Sequence, residues 1–389
     1  MKRLLIATHL EPHFGGAGKY ACTVARNAVE RHGLDVTAVA NCGDCFAGRG
    51  LDLETVSTHW EDRLVPSAKA IAQALVFLAH CRPSLVFVVH AGNGQMLNLV
   101  AGAWLLRLPV IGSHRGMIGP LMPQRRSTRH FGGLVPGIGL WHRKMVLGRR
   151  LLARCTTIAL FSNRENVELG IQRMGYPRGK CRLIPNGVDT AQFHPDPDLR
   201  ERTRAELGVS PSQTVIGSIG RFSHDKGQDL LVRAFAGSNQ RKLGALLLFV
   251  GEGDGLPYCK DLAAELAMGE QVRFLPDQRD VVGLMNALDI FVLPSRMECF
   301  SNSMLEAMAC AKPVIVSATG GALDAIEPGR NGLLWHPENV DELTEKIDSL
   351  MDVRHAAEMG AAGRQTVETA YTTEAVMEQT FQLVCELTR

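Results

Sequence analysis

The feature that most constrains the fold is an alternation of short apolar runs with amphipathic stretches, which occurs twice along the chain. In the first half, the runs RLLIATHL, SLVFVVH, PVIGSH and TTIALFS are typical of strands with both faces buried. In the second half, TVIGSIG, ALLLFVGEG, QVRFLP, DIFVLPS and KPVIVSA repeat the pattern. Alternating strands and helices form parallel sheets with crossover helices. The sequence therefore predicts two doubly wound, Rossmann-like α/β domains.

A segment rich in Pro, Asn, Gly and Asp, residues 185–198, separates the two halves. A chain of 389 residues is also too long for one ordinary core. We therefore expect a first domain over 1–187 and a second over 188–371, with a helix at about 372–389 that packs back on the first. Ligands of open parallel sheets bind at the carboxyl ends of strands, so we expect the two domains to face a central cleft that holds the chemistry.

Charge is unevenly distributed along the first domain. No Asp or Glu occurs from Arg63 through Arg164, although basic residues recur throughout that span. The densest part of it contains Arg125, Arg126, Arg129, Arg143, Lys144, Arg149, Arg150 and Arg154. This pattern predicts a positive surface whose partner is an anionic membrane or a phosphorylated acceptor. Nucleic acid is disfavoured, because no nucleic-acid motif or aromatic-basic platform accompanies the charge.

Cysteine usage and hydropathy indicate a cytoplasmic protein. The ten cysteines are scattered, and the one close pair, Cys42 and Cys45, has no second pair at zinc spacing. The basic and apolar N-terminus is interrupted by Glu11, Pro12 and His13, so we interpret it as a buried strand rather than a signal peptide. The uncharged stretch between Arg82 and Arg107 contains HAGNGQMLN, which is too polar for a membrane span. Peripheral association with the inner face of the cytoplasmic membrane stays an open alternative.

Two features of the first domain are candidates for ligand contact. HFGGAGKY places Gly15, Gly16 and Gly18 between the first strand and helix, where the backbone could approach a phosphate or could simply form a tight turn. The dinucleotide spacing G-x-G-x-x-G is absent, which disfavours an oxidoreductase. In GSHRGM, His114 ends a strand and is either a functional group or a packed one, and His90 ends the preceding strand.

In the second domain, GSIGRFSHDKGQDLL places Arg221 and Lys226 between a strand and a helix. A planar guanidinium and a compact ammonium suit a departing diphosphate, whereas the alternative is two surface cations on a loop.

The stretch RMECFSNSMLEAM follows the buried strand DIFVLPS. Ser303 and Glu306 fit a capping box, which predicts a helix starting at about Ser303. Glu298 lies outside that helix, and the segment FSNS offers backbone N–H groups that bind anions. Carboxylates beside an anion site can accept hydrogen bonds from sugar hydroxyls, so the stretch also predicts a nucleotide-sugar site.

The motif set RMECFSNSMLEAMACAKPVIVSATGGALDAIEPGRNGLLW resembles the donor-site signature of family 4 retaining glycosyltransferases of the GT-B fold, also called group 1 glycosyltransferases. In that signature a first Glu is followed, after seven residues, by a second Glu, a KPVI strand and a double glycine. The glycine loop, HRGM, IPNGVD, GRFSHDKG and FVGEG occur in family order, so the resemblance covers nearly the whole chain.

The resemblance implies roles for individual residues. It implies that Arg221 and Lys226 hold the donor diphosphate, that Glu298 contacts hydroxyls of the donor sugar and that Glu306 binds the ribose. The backbone of Phe300, Ser301 and Asn302 would meet sugar and phosphate. In the first domain, Gly16 would let the loop approach the phosphates, and His114 would lie near the reacting sugar.

No metal or other cofactor is implied, because cations and the helix N-terminus would replace a metal. The one Asp-x-Asp sequence, Asp196 to Asp198, lies in the interdomain segment and is interpreted as turn chemistry.

The chain departs from the family pattern at two places. Gly18 and Lys19 occupy the place where an acidic residue is frequent, and Cys299 replaces the usual Gly after the first Glu.

These features predict a metal-independent retaining transferase that moves a hexose-type sugar from a UDP-linked donor to a glycan or lipid-linked saccharide. The setting we expect is envelope polysaccharide or lipopolysaccharide synthesis. Without an obvious nucleophile, the acceptor would attack on the face from which the diphosphate leaves. Two alternatives stay open, a nucleotide-sugar epimerase of the same fold and a non-catalytic glycan- or nucleotide-binding protein.

Overall fold

The computed structural model describes residues 2–8, 16–40, 54–57, 67–90, 96–118, 138–276 and 280–389. Gly15, Cys42, Cys45, Arg125, Arg126 and Arg129 lie outside these ranges. Packing divides the chain into two units: unit 1 comprises Met1–Ile184 and Met377–Arg389, and unit 2 comprises Pro185–Val376. The limits predicted from the sequence, after residues 187 and 371, fall within a few residues of these borders.

Unit 1 is built on a sheet of seven described strands, in which every pair of neighbours runs parallel. The strands are β1 (Arg3–Thr8), β2 (Asp35–Ala40), β3 (Glu54–Ser57), β4 (Leu85–His90), β5 (Val110–His114), β6 (Ile158–Phe161) and β7 (Cys181–Leu183). They lie in the order β3-β2-β1-β4-β5-β6-β7. The strand order reverses between β1 and β4, as it does in a doubly wound sheet.

Between these strands the structure describes five helices: α1 (Gly16–Glu30), α2 (Ala68–Cys81), α3 (Leu97–Leu105), α4 (Ile138–Cys155) and α5 (Arg164–Leu169). A π-helical turn, Gly170–Met174, follows α5. Every residue of β4 and β5 is buried, which agrees with the continuous apolar runs in the sequence. The register pairs His90 with His114, so the carboxyl ends of β4 and β5 lie side by side.

Unit 2 contains a second parallel sheet with described strands β8 (Val215–Ile219), β9 (Leu246–Val250), β10 (Val272–Leu275), β11 (Ile290–Leu293), β12 (Val314–Ser317) and β13 (Leu333–Trp335). They lie in the order β10-β9-β8-β11-β12-β13, with the reversal between β8 and β11. Its helices are α6 (Pro197–Glu206), α7 (Gln228–Gly237), α8 (Asn239–Lys242), α9 (Leu256–Glu265), α10 (Val281–Ala287), α11 (Asn302–Ala309), α12 (Ala322–Ala325), α13 (Val340–Ser349) and α14 (Val353–Ala370).

Strand β9 shows why the apolar runs are continuous. Leu246, Leu248 and Val250 pack into one hydrophobic core of unit 2, and the alternate residues Leu247 and Phe249 pack into another. Successive side chains of a strand point to opposite faces, so both faces of this sheet are covered. The prediction of two doubly wound, Rossmann-like α/β domains is confirmed.

The final helix, α15 (Thr373–Leu387), returns the chain to unit 1. The Thr380 hydroxyl lies 3.4 Å from the Tyr20 hydroxyl of α1, and the Phe381 ring stacks on His32 with 4.1 Å between ring centroids. Across the part of the chain that the structure describes, no helix is both long enough and apolar enough to cross a membrane.

Candidate functional site

Two of the residues singled out from the sequence meet at the carboxyl ends of neighbouring strands of unit 2. Lys226 lies in a short 3₁₀ turn after β8, and Glu298 lies in the loop after β11. Lys226 Nζ donates a hydrogen bond of 2.5 Å to Glu298 Oε2, and the two side chains are 28% and 13% exposed. A partly buried ammonium and a carboxylate therefore share the position where the strand order of this sheet reverses.

Gly227 allows the two loops to approach so closely. It adopts φ +65°, and a Cβ atom at this position would lie 2.1 Å from the Pro294 carbonyl oxygen. The backbone N–H of Met297 donates to the Asp225 carbonyl at 3.2 Å, which joins the loops a second time. Only glycine satisfies both the left-handed backbone and the close contact.

Arg296 fastens the same loop to the start of α7. Its two Nη atoms donate to the Asp229 carboxylate at 2.7 and 2.8 Å, Nη1 also donates to the His224 carbonyl, and Nε donates to Glu338. Burial alone would raise the pKa of Asp229, but the hydrogen bonds and charge of Arg296 lower it below the ordinary value of 3.8. The Arg296–Asp229 pair, 13% and 18% exposed, thus fixes the backbone that carries Glu298. Arg296 was not among the site residues predicted from the sequence.

A third loop supports Glu298 from the other side. Gly320, in the loop after β12, adopts φ +50°, and a Cβ there would lie 2.1 Å from the Glu298 carbonyl oxygen. The next residue, Gly321, donates its N–H to the Cys299 carbonyl at 2.6 Å. The double glycine of the family signature therefore allows the loop after β12 to make close backbone contact with the loop that carries Glu298.

Helix α11 begins at Asn302, and the predicted capping box is wrong. Ser301, not Ser303, is the N-cap residue: its Oγ accepts a hydrogen bond from the Met304 N–H at 3.2 Å and lies 3.0 Å from Ser303 Oγ. With the cap at Ser301, a capping box would need Glu or Gln in place of Met304. Glu306 lies further along the helix, is 8% exposed, and does not cap it.

Asn186, in the IPNGVD segment, holds the segment before α11 in place. Its Nδ2 donates to the Phe300 carbonyl and to Asn302 Oδ1, both at 2.9 Å. Phe300 is 5% exposed, and its ring centroid lies 5.6 Å from that of Tyr371. From the sequence this segment was predicted to be a domain border and to match a family motif, and these contacts were not predicted.

Arg221 has a different environment from Lys226. It follows β8, and its exposed side chain makes no hydrogen bond or ion pair with any residue that the structure describes. Its carbonyl accepts a hydrogen bond of 2.9 Å from Gln228 Nε2, so the backbone is held while the guanidinium projects into solvent.

His114 is buried in unit 1 and is 2% exposed. Its Nε2 lies 3.0 Å from the Tyr176 hydroxyl, and its ring stacks on those of His90 and Phe161. Burial, followed by the neighbouring His90 and Arg115, lowers the pKa of His114 well below its ordinary value of 6.5. The imidazole is therefore neutral at pH 7 and part of an aromatic stack, and its proposed place near the reacting sugar stays a prediction.

The other predicted residue of unit 1, Gly16, is the exposed first residue of α1. Arg115 belongs to the HRGM motif, had no predicted role of its own, and is 7% exposed. Its Nη1 donates to the Ile184 carbonyl at 2.8 Å, and its guanidinium lies 3.6 Å from the Tyr20 ring centroid. Arg115 therefore connects β5 to α1 and to the end of the first segment of unit 1.

Within the described ranges, no group of three His, Cys, Asp or Glu side chains could hold a metal ion. Asp196 of the Asp-x-Asp sequence is the N-cap of α6, where its carboxylate accepts a hydrogen bond of 2.9 Å from the Leu199 N–H. Its role is local backbone capping, with Pro197 at the first helical position.

Family models match both halves of the chain: "Glycosyltransferase Family 4" over residues 14–192 and "Glycosyl transferases group 1" over residues 200–366. The crystal structure of Anabaena HepE in complex with UDP and glucose superimposes with a TM-score of 0.81 at 20% identity, covering 99% of this chain and 100% of that one. The fold is thus that of the GT-B glycosyltransferases. The chain belongs to the family 4, or group 1, glycosyltransferases.

Two curated relatives are similar over part of the chain. The GDP-mannose-dependent alpha-(1-6)-phosphatidylinositol monomannoside mannosyltransferase of Mycolicibacterium smegmatis is 34% identical over 199 residues, which are 48% of this chain and 52% of that protein. The D-inositol 3-phosphate glycosyltransferase of Corynebacterium jeikeium is 37% identical over 189 residues, 46% and 45% of the two chains. The chain spans about half the length of the curated relatives it matches.

Replacing Arg296 by methionine is expected to lower the free energy of unfolding by about 3 kcal/mol at pH 7, because Asp229 would be left largely buried without its cation. In the native protein the lowered pKa of Asp229 means that its carboxylate stabilises the fold above about pH 4, and that this contribution is lost as the pH falls through the lowered pKa. In the variant, burial would act on that pKa without the opposing effect of Arg296. The stability difference should therefore be largest at neutral pH and shrink in acid.

Urea unfolding at a series of pH values measures this difference. Arg330→Met is the matched control, because Arg330 pairs with Glu327 while both side chains are 62% exposed. Such a pair is expected to contribute about 1 kcal/mol or less. Equal losses in the two variants, or a loss at Arg296 that does not change with pH, would contradict a stabilising role for the buried pair.

Proposed function

We propose that this protein is a retaining, metal-independent glycosyltransferase that moves a hexose-type sugar from a UDP-linked donor to a glycan or lipid-linked saccharide acceptor. The observation that carries the proposal is the Lys226–Glu298 contact at the carboxyl ends of β8 and β11. A cation for the diphosphate and a carboxylate for sugar hydroxyls are brought together there, directly before the N-terminus of α11.

The N-terminus of α11 supplies hydrogen-bond donors for the same ligand. The backbone N–H groups of Asn302 and Ser303 make no hydrogen bond to any described residue, as expected for the first turn of a helix. Such groups bind phosphate oxygens, and the helix dipole adds to the attraction. Asn186 and the Ser301 cap fix the direction in which these donors point. This positioning is made before any ligand arrives, so it costs no reorganisation during the reaction.

Donor binding would exchange one partner of Lys226 for another. Without ligand, the ammonium is neutralised by Glu298. The doubly charged diphosphate would draw Lys226 and the projecting Arg221 to itself, which releases Glu298 to accept hydrogen bonds from the sugar. As the sugar–phosphate bond breaks, negative charge grows on the leaving diphosphate, and both cations stabilise it. The acceptor hydroxyl attacks from the same face, and its proton passes to the leaving phosphate.

The buried Glu306 is proposed to bind the donor ribose, and Phe300 to contribute its backbone. A carboxylate can accept two hydrogen bonds from vicinal hydroxyls, and the rigid α11 would hold Glu306 in place. Because Glu306 does not cap the helix, binding the ribose would not disturb the start of α11. Roles for Gly16 and His114 stay predictions.

The nature of the acceptor is proposed from charge and from the relatives. The acidic-free span of the first domain favours a negatively charged acceptor, and the names of both curated relatives include phosphate-bearing inositol compounds. Synthesis of envelope polysaccharide or lipopolysaccharide is the setting we propose. A nucleotide-sugar epimerase would need acid-base groups that reach solvent, and His90 and His114 are 0% and 2% exposed.

A panel of UDP-, GDP- and ADP-sugars tests the proposal through thermal stabilisation and slow donor hydrolysis. UDP-sugars are expected to stabilise the protein by about 2.7 kcal/mol at a concentration of one hundred times Kd. Addition of EDTA should change neither readout. A preference for GDP-mannose, the donor named for the first relative, would change the proposed nucleotide of the donor and leave the proposed glycosyltransferase activity unchanged. Absence of stabilisation and hydrolysis with every nucleotide sugar would overturn the proposal.

A further inference from the structure

We propose that the outer surface of α2, α3 and α4 docks on a bilayer that contains anionic lipid. Helix α3 packs against both α2 and α4, so the three helices form one layer on the sheet of unit 1. We call the water-facing side of this layer the docking face. The inference concerns where the protein binds and goes beyond the transfer reaction proposed above.

The docking face exposes large apolar side chains. Trp104, Leu105 and Leu106 are consecutive and are 46%, 54% and 42% exposed at the end of α3. Val76 of α2 is 73% exposed, and Leu147 of α4 is 53% exposed. Single exposed apolar residues are common on soluble proteins, but a run of three with more on both neighbouring helices is not. A tryptophan beside leucines is typical of a surface that enters the interface between headgroups and acyl chains.

Exposed basic residues lie on the same helices or directly after them. Lys69 on α2, Arg107 after α3, and Arg143, Lys144 and Arg150 on α4 are all exposed. Helices α2, α3 and α4 contain no Asp or Glu, so no carboxylate on them offsets this charge. Spacing on α4 places Arg143, Leu147 and Arg150 on one face of the helix. Long basic side chains can keep their charge at phosphate level while their stems accompany the apolar groups inward.

The combination of exposed apolar and basic side chains indicates which partner binds the docking face. A second copy of this chain would bring one docking face against another and oppose like charges, which is unfavourable. A nucleic acid would satisfy the cations and leave Val76, Leu105 and Leu147 without apolar partners. A bilayer with anionic headgroups provides negative charge and an apolar layer directly beneath it. The chemistry of the face therefore fits an anionic lipid surface.

Cosedimentation with vesicles tests the proposal. The full chain is expected to bind vesicles made of equal amounts of phosphatidylglycerol and phosphatidylcholine, and to bind much less to phosphatidylcholine alone. Because the charge contribution is screened by salt, binding should weaken as the ionic strength rises. Trp104→Ser is expected to reduce the partition coefficient about tenfold. Arg143→Gln and Lys144→Gln are each expected to reduce it about fivefold.

Matched variants distinguish binding through the docking face from non-specific hydrophobic adsorption. Val76→Ser should weaken binding, whereas Val353→Ser should not, although Val353 of unit 2 is 81% exposed. All the substituted side chains are exposed, and far-UV circular dichroism checks that the fold is kept. Binding that is absent at low salt, that persists undiminished in high salt, or that is unchanged by Trp104→Ser and Val76→Ser would overturn the proposal. Self-association that Trp104→Ser abolishes, without vesicle binding, would assign the face to a second copy and would also overturn it.

Failure of this proposal can be distinguished from failure of the proposed function. Donor hydrolysis is measured without vesicles and should be unchanged in Trp104→Ser. If wild-type protein hydrolyses nucleotide sugars and ignores vesicles, only the docking face is wrong. If it binds vesicles through this face and hydrolyses no nucleotide sugar, only the transfer reaction is wrong.

Discussion

Replacing Lys226 by alanine is expected to lower kcat/KM for sugar transfer by a factor of about 10³, because the developing charge on the diphosphate would lose a preorganised cation. Glu298→Ala is expected to abolish transfer as well, through lost positioning of the donor sugar. Turnover of a nucleotide sugar by purified variants measures both effects. Lys260→Ala is the control, because Lys260 is an exposed lysine of α9 in the same unit. Near-normal turnover in Lys226→Ala or Glu298→Ala would refute the assignment of that residue.

The two residues can also be separated by their binding of free UDP, which lacks the sugar. Lys226→Ala should weaken UDP binding, because it removes a phosphate contact. Glu298→Ala should instead strengthen it several-fold, because Lys226 would no longer be neutralised by the carboxylate 2.5 Å away. Isothermal titration measures both. Weaker UDP binding in Glu298→Ala would show that the carboxylate contacts the nucleotide rather than the sugar.

Replacing Gly227 by alanine is expected to abolish transfer and to lower the free energy of unfolding by more than about 3 kcal/mol. The added Cβ would lie 2.1 Å from the Pro294 carbonyl oxygen, so the β8 and β11 loops would have to separate. Separation would break the Met297–Asp225 hydrogen bond and the contact between Lys226 and Glu298. Both activity and urea unfolding report the result.

Gly208 provides the matched control for Gly227. Its φ of +61° is nearly the same, but a Cβ there would meet nothing within 4 Å. Gly208→Ala should therefore cost only the left-handed backbone strain, about 1 kcal/mol, with activity unchanged. If the two alanine variants were equally stable and equally active, the close approach of the loops would not matter for the site.

The strands were the most predictable part of this chain. A run such as Leu246–Val250 can be identified because alternate side chains enter two different cores, which leaves no polar position. The edge strands β7 and β13 were not identified, since each has only three residues and too little sequence for a periodic pattern. The sequence predicted only that the sheets are doubly wound and not the order of their strands, because it does not show which strands are neighbours.

Site residues could be predicted where a charged side chain comes directly after a buried strand. They could not be predicted where their role depends on contacts with residues distant in the sequence. Lys226 and Glu298 were identified from their positions after buried strands. Arg296 and Asn186 were not, because their partners lie between 42 and 116 positions away in the sequence. The capping box failed because Ser301 and Ser303 both suit an N-cap, and only the backbone conformation selects between them.

The return of α15 to unit 1 has a consequence for how the protein is made. Contacts of Tyr20 and His32 with Thr380 and Phe381 cannot form until α15 has been synthesised, and the part of α15 that belongs to unit 1, from Met377 onward, follows the whole of unit 2 in the chain. Unit 2 is continuous in sequence, whereas unit 1 is assembled from two separated segments. During translation, domains generally fold as their residues emerge. Unit 1 is therefore translated first but completed second. From the time α1 leaves the ribosome until α15 is synthesised, α1 lacks the helix that covers it.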